Sequence, residues 1–163
     1  MKPYPPPPEI VSYLHDELVA YHSSACPSVV HTFEHSIFAD ELAVIQLIAA
    51  GIPYALYDRL QSAMPFSEQE WANFLELSTK SLQRYKADPA YIFTGFYAQR
   101  ILEITEVMQA GLLFFGEASK LKAWLYTPAL LLDQLRPVEL LNTSYGKSLL
   151  LATIHRMSHG IFV

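Results

Sequence analysis

Glycine is scarce in this chain, six in 163 residues, and cysteine is represented by Cys26 alone. A single cysteine excludes an intramolecular disulfide and fits a reducing compartment, so a cytoplasmic setting is expected. With so few glycines, and those scattered, there is no phosphate-cradling loop, no dinucleotide fingerprint and no G-x-S-x-G elbow. Long apolar runs are missing too. Leu121 to Leu132 is interrupted by Lys122 and falls well short of the ~20 residues that cross a bilayer, so no membrane span is expected. The amino terminus, Met1-Lys2-Pro3-Tyr4 followed by Pro5 to Pro8, has no apolar stretch of signal length, and secretion is not expected. Alternating strand patterns and internal repeats are likewise absent.

Basic charge is nearly absent from the first half. Residues 1 to 78 carry two basic and ten acidic side chains, residues 79 to 163 nine and six, for a net charge of −5. That balance argues against a general polyanion binder, yet it concentrates positive charge from position 79 onward. Hydrophobic residues make up 52% of the chain, ample for the core of one domain or two small ones.

The apolar spacing is helical throughout, and an all-α fold is expected. After an extended proline tail, Ile10, Tyr13, Leu14, Leu18 and Tyr21 recur at three- and four-residue steps, predicting an amphipathic helix from Glu9 to about Tyr21. Cys26-Pro27-Ser28 interrupts it. Further helices are expected within Val29 to Phe38, from Asp40 through Ala50 with Gly51 as a stop, and from Pro53 to about Ala63. Ser67-Glu68-Gln69-Glu70 has the capping-box pattern, with Trp71, Phe74 and Leu75 as the apolar face of the helix it opens. A short helix from Thr79 to Ala87 follows, with Leu82 and Tyr85 directed inward and Asp88-Pro89 as its end. Two short helices about three residues apart have the spacing of a helix-turn-helix. A long helix, Thr94 to Phe115, is predicted with Phe96, Ile101, Leu102, Ile104, Thr105 and Met108 as its stripe and Gly116 as its stop. Shorter helices are predicted at Glu117 to Tyr126, Pro137 to Leu141 and Ser144 to Met157.

Chemistry suited to a DNA groove sits on the second helix of the pair. Ser78, Thr79, Lys80, Ser81, Gln83, Arg84 and Lys86 supply positive charges and uncharged donors around apolar anchors. Arginine and lysine neutralise phosphates or meet guanine edges, glutamine pairs with adenine, and a hydroxyl at a helix start can hold a phosphate. The plainer alternative is a solvated basic face on an ordinary helix. With so few charges, one copy would bind DNA weakly and require dimerisation on a two-part operator.

Residues 119 to 163 carry a set no reaction needs. Ala123-Trp124-Leu125, Thr127-Pro128, Pro137-x-x-Leu140-Leu141, Thr143-x-x-Gly146 and His159-Gly160-Ile161-Phe162 occur in that order. Together they resemble the carboxyl-terminal, toxin-binding region of the Xre/MbcA/ParS-type antitoxins, from about residue 40 to the end. Where that family's usual pattern has an asparagine after the first proline and then a glycine-rich turn, this chain has Pro128-Ala129 and Asp133-Gln134. The resemblance implies an Xre-like helix-turn-helix module over 40–116 and a small helical toxin-binding region over 117–163, preceded by an extension over 1–39. It further implies a RES-type, NAD-consuming toxin as partner, operator DNA as a second ligand, and homodimers as well as hetero-oligomers with toxin. Trp124, Leu125, Pro137, Leu140, Leu141, Arg156, His159, Gly160, Ile161 and Phe162 would form the toxin-binding set, with Arg156 and His159 facing the toxin's active site. An apolar chain end invites cover by another protein. The alternative is a transcriptional regulator without a toxin, whose terminal region dimerises.

No catalytic residue, cofactor or resident metal is expected. His31-Thr32-Phe33-Glu34-His35 matches the H-x-x-E-H string of inverted zinc peptidases, but such a site also needs a third ligand and a cleft. Cys26 reads as an incidental thiol and Glu103 with Glu106 as a solvated face, because the Glu-x-x-His pairs of a helical di-metal site are missing.

Overall fold

The computed structural model describes residues 7–27 and 36–160. The amino-terminal proline tail up to residue 6, most of the helix expected within Val29 to Phe38, the His31 to His35 string, and Ile161, Phe162 and Val163 lie outside the described residues. Among the described residues there are nine α-helices and one two-stranded sheet, so the fold is all-α as expected. None of these helices is long and apolar enough to cross a membrane. The chain divides into two compact units, one of residues 12–102 and the other, in its described part, of residues 7–11 and 103–160.

In the 12–102 unit, α1 (Pro7–Ala25) runs one turn beyond the expected end and buries Leu14 and Leu18. Its last turn is tied by polar bonds. The Tyr21 hydroxyl donates to the Gly51 carbonyl at 2.8 Å, and the His22 ring pairs with the Gln46 amide oxygen at 2.7 Å. A 3-10 turn (Ile37–Ala39) precedes α2 (Glu41–Ala50). Asp40 caps α2 by accepting the Ala43 amide at 3.1 Å. Gly51 ends it at φ +81°, where an added Cβ would stand 2.8 Å from the Phe93 carbonyl oxygen. Only glycine allows that approach, and it lets β1 (Ile52–Pro53) pair antiparallel with β2 (Ile92–Phe93), Ile52 opposite Phe93. This strand pair was not expected. Two residues per strand are too few to show alternation.

After α3 (Tyr54–Ser62), α4 (Glu68–Phe74) and α5 (Thr79–Lys86), the core of this unit is aromatic. Tyr57 stands 5.3 Å from Trp71 and 5.0 Å from Phe93, and Phe66 stands 5.1 Å from Phe74, all edge to face. The long helix α6 (Phe96–Phe115) buries Ile101, Leu102, Ile104, Thr105 and Met108, as expected. Phe96 departs from that stripe: it is 45% exposed, its ring 5.2 Å from the Arg100 guanidinium. At the helix start no preceding turn exists to cover it.

The 103–160 residues carry the rest of α6, then α7 (Ala118–Tyr126), a 3-10 turn (Leu130–Leu132), α8 (Pro137–Leu140) and α9 (Ser144–Ser158). Aliphatic side chains fill this core, with Val107, Leu112, Leu121, Leu125, Leu141, Leu150 and Ile154 buried. Glu106 is no solvated carboxylate: its Oε2 is 2.6 Å from Lys147 Nζ, both side chains being half-buried, and Glu103 is half-buried too. A pairing partner forty residues away cannot be read from helix spacing.

Candidate functional site

The surface of the α4–α5 pair is built from its caps. Ser67 Oγ accepts the Glu70 amide at 3.2 Å while Glu70 Oε2 accepts the Ser67 amide at 2.8 Å, which starts α4 where the sequence predicts. The connecting residues Leu75 to Ser78 turn sharply, with Glu76 at φ +53° and the Leu77 amide bonded to the Ala72 carbonyl at 2.8 Å. Ser78 then caps α5, its Oγ accepting the Ser81 amide at 3.1 Å. Ser78 is thereby partly occupied as a capping residue.

Two anchors fix the roll of α5. Leu82 is buried and Tyr85 is half-buried, stacked at 3.8 Å on Tyr91 with the rings nearly parallel. A hydrogen bond from the Tyr91 hydroxyl draws the Tyr85 phenol below its usual pKa, while burial and then that same bond push Tyr91 up. With those residues inward, 3.6-residue periodicity turns Lys80, Gln83 and Arg84 outward, while Thr79 and Lys86, three and four residues from Leu82, flank the buried side. Lys80, Gln83, Arg84 and Lys86 are exposed and Thr79 is half-buried. The Arg84 guanidinium lies 5.3 Å from the Tyr85 ring, which steers it along the helix surface. Of the expected DNA-reading set, Lys80, Gln83 and Arg84 therefore share the outward face, with Thr79 and Lys86 at its edge and Ser78 at the cap.

In the terminal unit, the Thr143-x-x-Gly146 motif has a physical cause. Thr143 Oγ1 accepts the Gly146 amide at 3.0 Å, and a Cβ on Gly146 would collide with the Leu140 carbonyl oxygen. The motif thus lets α9 start in direct contact with α8. Pro137 opens α8, where Glu139 reaches back to the Arg136 amide and guanidinium. Pro137, Leu125 and Leu141 are buried inside this unit and shape its surface without being accessible. Leu140 is half-buried, as is Trp124, whose ring is 5.4 Å from Phe115. Asp133 and Gln134, at φ +54° and +64°, make the turn at the place where a glycine-rich turn would be expected, closed by the Gln134 amide bonding the Ala129 carbonyl at 3.0 Å.

At the far end of α9, Arg156 is half-buried and its Nη2 donates to Thr153 Oγ1 at 3.3 Å. His159 is exposed, its ring 4.2 Å from that of His155 and its Nδ1 2.9 Å from the His155 carbonyl oxygen. Gly160 follows, also exposed. Beside this end an open groove of about 470 Å³ is lined by Ala110, Leu113, Phe114, Leu151, Ile154, His155 and Ser158.

Sequence reasoning missed the outer face of α9. Gly146, Leu150, Thr153 and Ile154 are its buried side, which turns Tyr145, Leu149 and Ala152 outward on one line, with half-buried Arg156 at its end. Tyr145 is 92% exposed and Leu149 41% exposed, with Leu130 at 82% on the 3-10 turn that precedes α8. The signal was present in the four-residue step from Tyr145 to Leu149, but it was hidden until the buried side was known. No group of three or more metal-ligating side chains occurs among the described residues, and Cys26 is half-buried with a free thiol.

No family model matches the chain. Over 116 residues, 71% of this chain and 78% of the other, it is 26% identical to a protein named Antitoxin Xre from Photorhabdus laumondii subsp. laumondii. A chain in the crystal structure of the M. tuberculosis MbcT-MbcA toxin-antitoxin complex matches at 24% identity and a TM-score of 0.47, covering 61% of this chain and 86% of that one. The resemblance to antitoxins of the Xre type, expected from the carboxyl-terminal motifs, is thereby borne out in sequence.

Proposed function

We propose that the protein is an antitoxin that covers the active site of a RES-type, NAD-consuming toxin and represses its own operon through α5. The observation that carries this reading is the outward face of α9. Tyr145 and Leu149 are apolar and exposed on a helix held rigidly by the Thr143 cap and the Gly146 contact. Rigid, accessible aromatic and aliphatic side chains are what protein interfaces use as anchors. The similarity to a protein named Antitoxin Xre supports the same reading.

In this account residues 117–163 are the docking region, 40–116 the helix-turn-helix module and 1–39 an extension. Trp124, Leu140, Arg156, His159 and Gly160 join Tyr145 and Leu149 at the toxin, and Ile161 with Phe162 continue that end. Leu125, Pro137 and Leu141 contribute by holding α7, α8 and α9 in place. Blocking an active site needs no turnover by the antitoxin itself. A stable contact of ordinary size buries ~800 Å² on each partner, more than the five terminal residues supply.

Co-expression with the toxin encoded beside it tests the reading. Growth should be rescued, and deletion of His159 to Val163 should weaken the rescue; unchanged rescue would remove the tail from the mechanism. The exposed arc of α5 keeps a second reading in view, a helix-turn-helix regulator with no toxin partner. That protein would bind its operator specifically while failing to co-purify with any neighbouring gene product.

A further inference from the structure

The last turn of α9 carries two imidazoles at the spacing that sets side chains one above the other. His155 and His159 stand at i and i+4, both exposed, with ring centres 4.2 Å apart. The second ring is held in place. Its Nδ1 lies 2.9 Å from the His155 carbonyl oxygen, which also accepts the Ser158 hydroxyl at 2.7 Å. A carbonyl oxygen only accepts, so Nδ1 of His159 must carry the proton of that contact. Ser158 Oγ, 3.1 Å from the same nitrogen, has already given its proton to the carbonyl and can only accept as well. The neutral His159 ring therefore keeps its lone pair on Nε2. A backbone carbonyl that fixes the tautomer through one ring nitrogen and leaves the other basic is the support that metal-bound histidines carry.

The geometry points to a binding site for a divalent transition-metal ion, zinc above all, between His155 and His159. Bonds of ~2.0–2.1 Å at a tetrahedral angle hold two ligand nitrogens ~3.3 Å apart on zinc, and rings centred 4.2 Å apart reach that by side-chain rotation alone. The surroundings suit a cation. The last carbonyls of a helix put partial negative charge at its end. Arg156, between the two histidines in sequence, turns its Nη2 away to Thr153 Oγ1 at 3.3 Å, on the buried side of α9. The α6 residues that share the groove with His155, namely Ala110, Leu113 and Phe114, contribute no ammonium or guanidinium.

Two ligands set the character of the site. A structural zinc centre takes four, and no third histidine, cysteine or carboxylate joins this pair among the described residues. Water or an incoming group fills the other positions, so the ion exchanges readily. Calcium and magnesium prefer oxygen ligands and are not accepted here. The inference uses nothing from the functional reading above and holds with or without a toxin.

Isothermal titration of the full, untagged chain with zinc chloride tests it. The isotherm should include a site of one ion per chain, while calcium and magnesium should give no binding. His155→Ala and His159→Ala should each raise the zinc dissociation constant of that site at least ~10-fold, with the metal-free melting temperature unchanged because both side chains are exposed. The remaining histidine pair in the sequence supplies the control: a chain carrying both His31→Ala and His35→Ala should keep the site at its original affinity. A chain that binds no zinc, zinc binding indifferent to His155→Ala and His159→Ala, or a site that disappears with His31 and His35 instead would overturn the proposal.

Discussion

The 12–102 unit packs its large aromatic side chains inside, around Trp71, Tyr57 and Phe93, and shows a polar, basic helix to the outside. The 103–160 residues pack aliphatic side chains inside and leave Leu113, Leu130, Tyr145 and Leu149 exposed. Each surface suits a different ligand. A basic arc flanked by hydroxyl and amide donors suits a phosphate backbone, while exposed apolar anchors on a rigid helix suit a protein that excludes water from them. The two capacities rest on different residues, so each should be removable without the other.

The largest expected effect separates core from surface. Trp71→Ala should lower the stability of the chain by ~3–5 kcal/mol, whereas Tyr145→Ala should change it by no more than ~0.5 kcal/mol, both read from urea unfolding. Equal effects would mean that Tyr145 is packed and the contrast is mistaken. Next come the DNA variants. Arg84→Ala should weaken operator binding by ~1–3 kcal/mol if it reads a base, and Lys80→Ala should reduce the slope of affinity against salt by ~1, as measured by fluorescence anisotropy. Toxin binding should be untouched by either; a shared loss would tie the two surfaces together.

A smaller effect compares one turn in each part. Glu76 and Gln134 both adopt the left-handed backbone conformation that favours glycine. Glu76→Gly and Gln134→Gly should each raise stability by up to about 1 kcal/mol, since relief of strain exceeds the added freedom of the unfolded chain. A loss at either position in thermal melts would show that its side chain does more than tolerate the turn.

The smallest effect is on acid stability. Hydrogen bonds from Lys120 hold the Glu117 carboxyl below its usual pKa, and those from Arg136 do the same for Glu139. A folded pKa below the unfolded one gives stability that is present above the unfolded value, ~4.3 for glutamate, and is lost as pH falls through the folded one. Glu139→Gln should therefore flatten the acid limb of the stability profile slightly, while an unchanged limb would mean the pair is fully screened.

Helix boundaries were legible because they are decided locally. Asp40 with Gly51, Ser67 with Glu70, Ser78, Pro137 and Thr143 each act within four residues of their own position. The contacts that depend on distant segments were not. The β1–β2 pair, the Glu106–Lys147 bond and the exposure of Phe96 all require knowing what lies opposite. For the same reason α5 yielded its outward residues at once, since Leu82 marked the inside. In the terminal region, apolar residues on every side of α9 gave no such mark, so buried Leu125 and Leu141 were grouped with accessible ones and Tyr145 was passed over.

The claim on which this account turns is that the outer face of α9 holds the toxin. Direct titration of the purified toxin with the chain carrying Tyr145→Glu and Leu149→Glu decides it. A rise in Kd of at least ~30-fold, with the fold and operator binding retained, is the predicted result. An unchanged Kd would contradict it.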